Sequence, residues 1–563
     1  MMEELFEEPC KAYYQIFTDK PDETYKYNYI SPFEFTSVLI DRANKSVGEK
    51  NVLNAGRDNP NFYSTMPRYM FAQLIQICTR LGDELCEYND TGYIPHKKGI
   101  AKRFNKLLDK VTGSDGKNLR NVCNKMRTLS GMDKDTFTHN LVISTIGCNY
   151  PEPPRVQKFV EPILADFFDK NIYKSKNPLK GKVKIMPTEG SAAAIIYVFD
   201  SLKYNGLVIP GDTIGIMTPI FSPYMEIPSL QNYNLNQVCI KADKNNNWEI
   251  PDEEIEKIGD PNMKALFLVN PTNPTSLSLS ASTVRKIASV VRNKNPNLII
   301  LEDNVYAPYV KEFNNFFNVL PRNTIGVFSF SKYFGVTGWR LGSIIIQNNN
   351  IIDSKLLKQA PESVHKRYNM ITTKSEKMSF IDRILADSRQ VAEANFAGLS
   401  TPQQTLMTLF ATYDLLDKER IYNINLDNIL LERMNDLLEP IEYEVNKSTL
   451  NSNYYVVIDI INVANRLLGD TSFGEYLQTN RDPLEFLLKL AKDYGTVLLP
   501  AVGFAGPFWS VRVSLANLPT EDYAFIGENL RNLIDDYYEE FKIWDKKNQR
   551  KKEKEGRKKN RAV

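Results

Sequence analysis

The segment SFSKYFGVTGWRLG (329–342) gathers a lysine, a hydroxyl and an arginine among three glycines. Lys332 follows an apolar run, with Ser329 just before it and Arg340 further along. Gly335, Gly338 and Gly342 let the backbone approach a ligand closely. A lysine after a strand is most often a surface cation. Beside a hydroxyl and a guanidinium, the same amine suits covalent capture of a phosphorylated aldehyde as a Schiff base.

Other segments offer matching chemistry. LEDNVYAPYV (301–310) ends a strongly apolar run on Asp303. A carboxylate there is costly unless a cation neutralises it, and a protonated pyridine nitrogen is such a partner. Tyr306 would hydrogen-bond a phenolic oxygen on the same ring; an aspartate that merely caps a turn is the alternative. In VNPTNPTS (269–276), Asn273 would hold its amide against that oxygen, although Asn-Pro is also a common turn former. PTEGSAAAI (187–195) reads as a strand–turn–helix junction. There Gly190, Ser191 and Ala192 would present free backbone N–H groups to a phosphate, or simply start a helix. Phe221 in MTPIFSPYMEI either stacks on a planar ring or fills the core. Arg512, mid-strand in FWSVRVSLAN, needs an anion: a substrate carboxylate taken in bidentate fashion, or an internal one.

These residues must be positioned by elements, and the sequence indicates which. VKIMPTE (183–189), TIGIMTP (213–219), VCIKA (238–242), KALFLVNP (264–271), LIILEDN (298–304), TIGVFSFS (324–331) and SIIIQ (343–347) read as strands. SAAAIIYVFDSLKYN (191–205) and ASTVRKIASVVRNK (281–294) read as amphipathic helices between them. Strands apolar on both faces and separated by helices predict an α/β fold with a mainly parallel sheet covered on both sides. Ligands then bind beyond the carboxyl ends of the strands, where the unusual residues fall.

Around that centre, residues 1–140 form an N-terminal segment with a helical block, as in MFAQLIQICTRLGDELCEY (70–88). Residues 141–395 form the large domain, ending in a long helix within FIDRILADSRQVAEANF. A smaller α+β domain follows at 396–544, with strands in NYYVVIDI and SVRVSLAN. The tail at 545–563, ten basic against three acidic residues, reads as disordered.

Composition excludes several classes. The chain has 563 residues, 70 basic against 68 acidic, for a formal charge of +2. No strong field points to nucleic acid. No apolar run reaches the ~18–20 residues that cross a bilayer. The acidic start MMEELFEEP is unlike a secretory or transit segment, so a cytoplasmic location is expected. Three histidines and six cysteines without CxxC spacing make a metal site a poor expectation and suit free thiols.

The ordered set NPTNPT, DNVY and SFSKYFGVTGWRLG resembles the fold-type I pyridoxal-phosphate enzymes, specifically class I/II aminotransferases, over about 140–520. The resemblance implies pyridoxal 5'-phosphate as cofactor and Lys332 as its Schiff-base lysine. It makes Asp303 the pyridinium partner, with Tyr306 and Asn273 on the phenolic oxygen. Gly190, Ser191, Ala192, Ser329 and Arg340 would hold the phosphate, Phe221 would stack on the ring, and Arg512 would bind the substrate α-carboxylate. Tyr150, in GCNYPEPP, would reach the phosphate of a neighbouring subunit in a homo-oligomer.

A narrower likeness rests on SPFEF (31–35), LNAGRDNPNF (53–62), IGCNYPEPPRVQKF (146–159), LADSRQVAEANFAGLSTPQQ (385–404) and GPFWSVRVSLANL (506–518). These are similar to the aspartate 4-decarboxylases, bifunctional aspartate aminotransferase/β-decarboxylases. That family implies conversion of L-aspartate to L-alanine and CO2, with Arg57 and Arg389 as further substrate-binding residues. Thr36 stands where the family usually has lysine and Phe396 where it usually has threonine. Both departures motivate an alternative, transamination alone of aspartate or another amino acid. A cofactor-binding regulator is the remote third reading.

Overall fold

The computed structural model describes residues 32–559 except 176–177, 231, 390–397 and 446–447, with side chains over 34–550. After a two-residue β1 (Leu53–Asn54), the apolar runs become β2 (Val183–Thr188), β3 (Thr213–Thr218), β4 (Asn236–Lys241) and β5 (Met263–Val269). They continue as β6 (Ile299–Asp303), β7 (Thr324–Ser329) and β8 (Gly342–Gln347). β2 to β8 pair in the order β2-β8-β7-β6-β5-β3-β4. Every neighbouring pair is parallel except at β8, which runs antiparallel to both β2 and β7.

The period of two explains why this sheet has no wet face. Ile299 and Leu301 of β6 join the main core, while Ile300 between them joins a second cluster with Val284, Ile287 and Val291 of helix Ala281–Lys294. Helix Ser191–Tyr204 covers the opposite face through Ala194, Ile195, Val198 and Phe199. Each such side chain contributes about 1.5–3 kcal/mol by leaving water. β6 and β7 are buried at every residue, so the polar groups that end them are delivered into a dry interior.

The smaller unit has β9 (Tyr455–Asp459), β11 (Leu499–Pro500) and β12 (Ser510–Ser514) in one antiparallel sheet. β10 (Thr496–Val497) pairs in parallel with β1. Helix Pro32–Val47 packs on helix Pro483–Tyr494, so the first described helix joins the C-terminal part of the chain. Helices Met66–Asp83, Gly113–Ser130 and Lys134–Ile146 gather around Thr401–Leu416. That last helix follows the expected division at 395, yet it also packs on Val160–Phe167 beside the large sheet.

Two expectations differ from the structure. Of the long helix expected over about 370–395, the described residues form helix Phe380–Asp387, preceded by irregular chain and followed by a turn at Ser388 and Arg389. The Asp387 carboxylate there accepts from Tyr368 Oη at 2.9 Å and from Arg367 Nε at 3.2 Å. Residues 390–397, Phe396 among them, lie outside the described residues. Of the basic tail at 545–563, expected to be disordered, residues 545–559 continue helix Asp522–Lys559, and 560–563 lie outside the described residues. Its Lys, Arg, Glu and Gln residues favour helix, and it extends one already anchored by Leu530, Leu533 and Tyr537, so no new nucleus is needed.

Among the described residues, no helix is long and apolar enough to cross a membrane, and no His/Cys/Asp/Glu cluster could hold a metal ion. Cys78, Cys86, Cys123 and Cys148 are free.

Candidate active site

β5, β6 and β7 run side by side in parallel, so the residues just after their carboxyl ends converge. Asn273 follows β5, Asp303 closes β6 with Tyr306 beyond it, and Ser329 closes β7 with Lys332 beyond it. All five line one cavity of about 220 Å3. Ser191, Ala192, Phe221 and Arg340 line it too. A larger cavity of about 470 Å3 lies alongside, sharing Val269, but none of the predicted site residues line it.

Asp303 sits at the floor. Its Oδ2 accepts from Tyr224 Oη at 2.9 Å and its Oδ1 from the Val305 N–H at 3.1 Å. Burial nevertheless pushes this carboxyl up to about 6, outweighing those bonds, a Ser191 hydrogen bond and the Lys332 charge. A carboxylate so placed favours a cationic partner, as a protonated pyridine nitrogen would be. Phe221 stands at the edge with its ring centroid 5.1 Å from that of Tyr224. Tyr306 Oη lies 2.7 Å from Tyr455 Oη, a partner on β9 that sequence reasoning missed.

The other end of the cavity is built for an anion. Gly190 (φ 94°) opens helix Ser191–Tyr204, and no side chain caps its N-terminus. A Cβ at Gly190 would stand 2.5 Å from Arg340 Nη2, and one at Gly342 would stand 2.5 Å from the Gly190 carbonyl carbon. Only glycines let strand, turn and guanidinium meet here. Arg340 itself holds a left-handed φ of 53°, and its Nη1 donates to Thr337 O at 3.0 Å. Ser329 Oγ accepts from the Ser331 N–H at 3.2 Å. The Ser331 hydroxyl is buried without a protein partner among the described residues, an orphan that a phosphate oxygen would satisfy. A glycine cradle, an arginine, an uncapped helix start and an orphaned hydroxyl fit the phosphate of pyridoxal phosphate.

Lys332 Nζ lies 2.7 Å from Asp58 Oδ2 and donates to Asp58 O at 3.0 Å. Asp58 lies within LNAGRDNPNF, a segment the sequence singled out for other reasons. Burial pushes its carboxyl up, but the Lys332 ammonium, followed by Arg512, outweighs burial and holds it below the ordinary carboxylate range. Arg512, on β12, is fully buried. It donates from Nη1 to Asn273 Oδ1 at 3.2 Å and from Nη2 to Gly56 O, and it lies over the Tyr455 ring at 4.6 Å. Its Nε is buried with no protein acceptor among the described residues.

Five predicted residues do not line the cavity: Gly190 and Arg512 touch the lining residues Arg340 and Asn273 from behind, and Tyr150, Arg57 and Arg389 are the other three. Tyr150 is 75% exposed. Arg57 is exposed, one residue from Asp58. Arg389 is half-buried and donates from Nη2 to Pro154 O at 2.9 Å. The missed residues each had a faint sequence signal. Tyr224 and Ser331 lie inside quoted motifs, Tyr455 alternates on a strand, and Asp58 is a carboxylate in a compact polar stretch.

The family of class I and II aminotransferases matches residues 148–526, and the chain belongs to it. Enzymes of this family use pyridoxal 5'-phosphate, which the cavity suits. A bifunctional aspartate aminotransferase and L-aspartate beta-decarboxylase of Pseudomonas sp is 38% identical over 526 residues, 92% of this chain and 98% of that protein. The fold matches a Thermus thermophilus aspartate aminotransferase single mutant with a TM-score of 0.55, at 15% identity over 92% of this chain and 98% of that one. It also matches N-succinyldiaminopimelate aminotransferase from Mycobacterium tuberculosis with a TM-score of 0.53, at 17% identity over 92% and 99%.

Proposed function

We propose that the chain converts L-aspartate to L-alanine and CO2 by β-decarboxylation, with aminotransferase side activity, as a homo-oligomer. The observation that carries this reading is the convergence of Lys332, Asp303, Tyr306 and Asn273 on one cavity with Arg512 behind it. The Pseudomonas relative, aligned over nearly its whole length, supports the substrate and the reaction.

When bound, pyridoxal phosphate would supply an aldehyde that condenses with an amine, a protonated ring that takes up the electron pair of a broken Cα–H bond, and a C=N bond that takes up the pair of a broken Cβ–C bond. Lys332 Nζ is the amine that would anchor it, and as a free amine Nζ would accept the Cα proton as general base. Asp303 keeps the proton on the ring nitrogen. Tyr306 and Asn273 hold the phenolic oxygen, while Ser329, Arg340 and the start of helix Ser191–Tyr204 fix the phosphate. Phe221 closes one side against water. Arg512 offers its free Nε to the substrate α-carboxylate, and Arg57, exposed on the strap beside Asp58, turns inward on substrate binding to orient the β-carboxylate. Tyr150, exposed on one chain, and the half-buried Arg389 act where a second subunit completes the site.

Transamination alone is the second reading. Thr36, buried and uncharged, brings no cation that would steer a dicarboxylate. Incubating the protein with pyridoxal phosphate and L-aspartate while following CO2, alanine and oxaloacetate together separates the two. The proposal expects alanine with stoichiometric CO2. Oxaloacetate formed only with a keto-acid acceptor, and no CO2, would reject it in favour of the second.

A further inference from the structure

Asp58 is the one carboxylate of the cavity that pairs directly with the reactive amine. It meets Lys332 Nζ twice, through its side chain at 2.7 Å and through its own carbonyl at 3.0 Å. Two of the three ammonium hydrogens are thereby held by a single residue. The Lys332 side chain is only 11% exposed, against 30% for Asp58, so the pair is weakly screened on the lysine side.

The backbone carrying Asp58 is fixed from the small domain. Ala55 N donates to Val497 O at 3.0 Å, Asn61 N to Ala516 O at 2.8 Å, and Tyr454 Oη to Asp58 O at 2.8 Å. Arg512 holds Gly56 O. Lys332, in contrast, follows β7 of the large sheet. The ion pair therefore spans the two domains, and a strap tied to one of them grips the lysine of the other.

We propose that Asp58 is a positioning residue that holds Lys332 as an ion-paired ammonium whenever the lysine carries no cofactor, restraining cofactor capture while favouring proton uptake during turnover. This rests on the reading of Lys332 as the cofactor lysine. An ammonium has no lone pair. To condense, Nζ must first release one proton to solvent. Its lone pair then forms the bond to the aldehyde carbon, and the aldehyde oxygen leaves as water with the two remaining amine protons. The Asp58 carboxylate stabilises the charged reactant of that step. In turnover the same amine gains the Cα proton and becomes an ammonium, and the same carboxylate then stabilises the product.

The two consequences have opposite signs, which distinguishes positioning from mere packing. In cofactor-free protein mixed with pyridoxal 5'-phosphate at neutral pH, Asp58→Asn is expected to form the absorbing C=N bond faster than the natural chain by about fivefold or more, because the charged reactant loses its ion-pair partner. In the loaded enzyme, exchange of the substrate Cα hydrogen with D2O, followed by NMR, is expected to slow by a similar factor. Asp58→Glu restores both rates toward natural values. Asp58→Ser serves in place of Asp58→Asn should the amide variant fail to fold. Unchanged rates, or two rates falling together, would overturn the proposal. A natural chain that forms no C=N band with the cofactor would instead sink the assignment of Lys332 on which it rests.

Discussion

Asp303 shows how a single residue trades stability for chemistry. Its carboxyl is raised from 3.8 to about 6, chiefly by burial. A folded-state value above the unfolded one means that the folded chain holds a proton which the unfolded chain has lost. The cofactor-free protein should therefore lose stability as pH rises from about 4 through about 6. Asp303→Asn removes that penalty. Denaturant unfolding of cofactor-free protein at pH 7.5 should find the variant more stable by up to about 3 kcal/mol, and the two should converge near pH 4. The same variant should bind pyridoxal phosphate more weakly. Equal stability at pH 7.5 would contradict the account. At this scale the sequence was informative wherever a polar residue interrupts an apolar run, as at Asp303 and Arg512. Asp58 escaped because it sits in a polar stretch where one more carboxylate is not conspicuous, and Tyr224 because an aromatic after an apolar run reads as core.

The elements that carry the site depend on close backbone approach. The turn at Gly190 and the start of β8 at Gly342 touch with no room for a side chain on either, and Arg340 packs against the first. Gly190→Ala would place a Cβ against the guanidinium in a backbone region that essentially only glycine adopts, at a cost of about 1–3 kcal/mol for an L-residue. We expect its affinity for pyridoxal phosphate, measured by equilibrium dialysis, to fall by about tenfold or more from strain and from displacement of Arg340. An unchanged affinity would remove Gly190 from the phosphate seat. The strands were legible because both faces of each are apolar, and the helices at 191 and 281 because their period is helical. Strand direction was not: β8 has the same composition as its neighbours yet runs antiparallel between them. The tail misled for a related reason, since charge density describes solvation and a pre-existing helix decides whether the chain continues to coil.

Across the whole molecule, the site exists because distant parts of the chain close on it. The strap after β1 is bound to β10 and runs over the cavity to Phe62, whose carbonyl lies against Gly335. Arg68 fastens it by donating to Gly335 O at 2.6 Å and Phe334 O at 3.3 Å. Pairings across more than 400 residues leave no local periodicity, so the sequence could place the lysine, the aspartate and the arginine on their strands but not the strap that meets them. What the closure accomplishes is to single out one amine, among the many that the chain carries, for the cofactor. Reducing the pyridoxal-phosphate-loaded protein with borohydride turns the labile C=N bond into a stable one, and peptide mass spectrometry then locates it. The account predicts the pyridoxyl label on Lys332 and its loss in Lys332→Ala; a label on any other lysine, or one that persists in that variant, would contradict it.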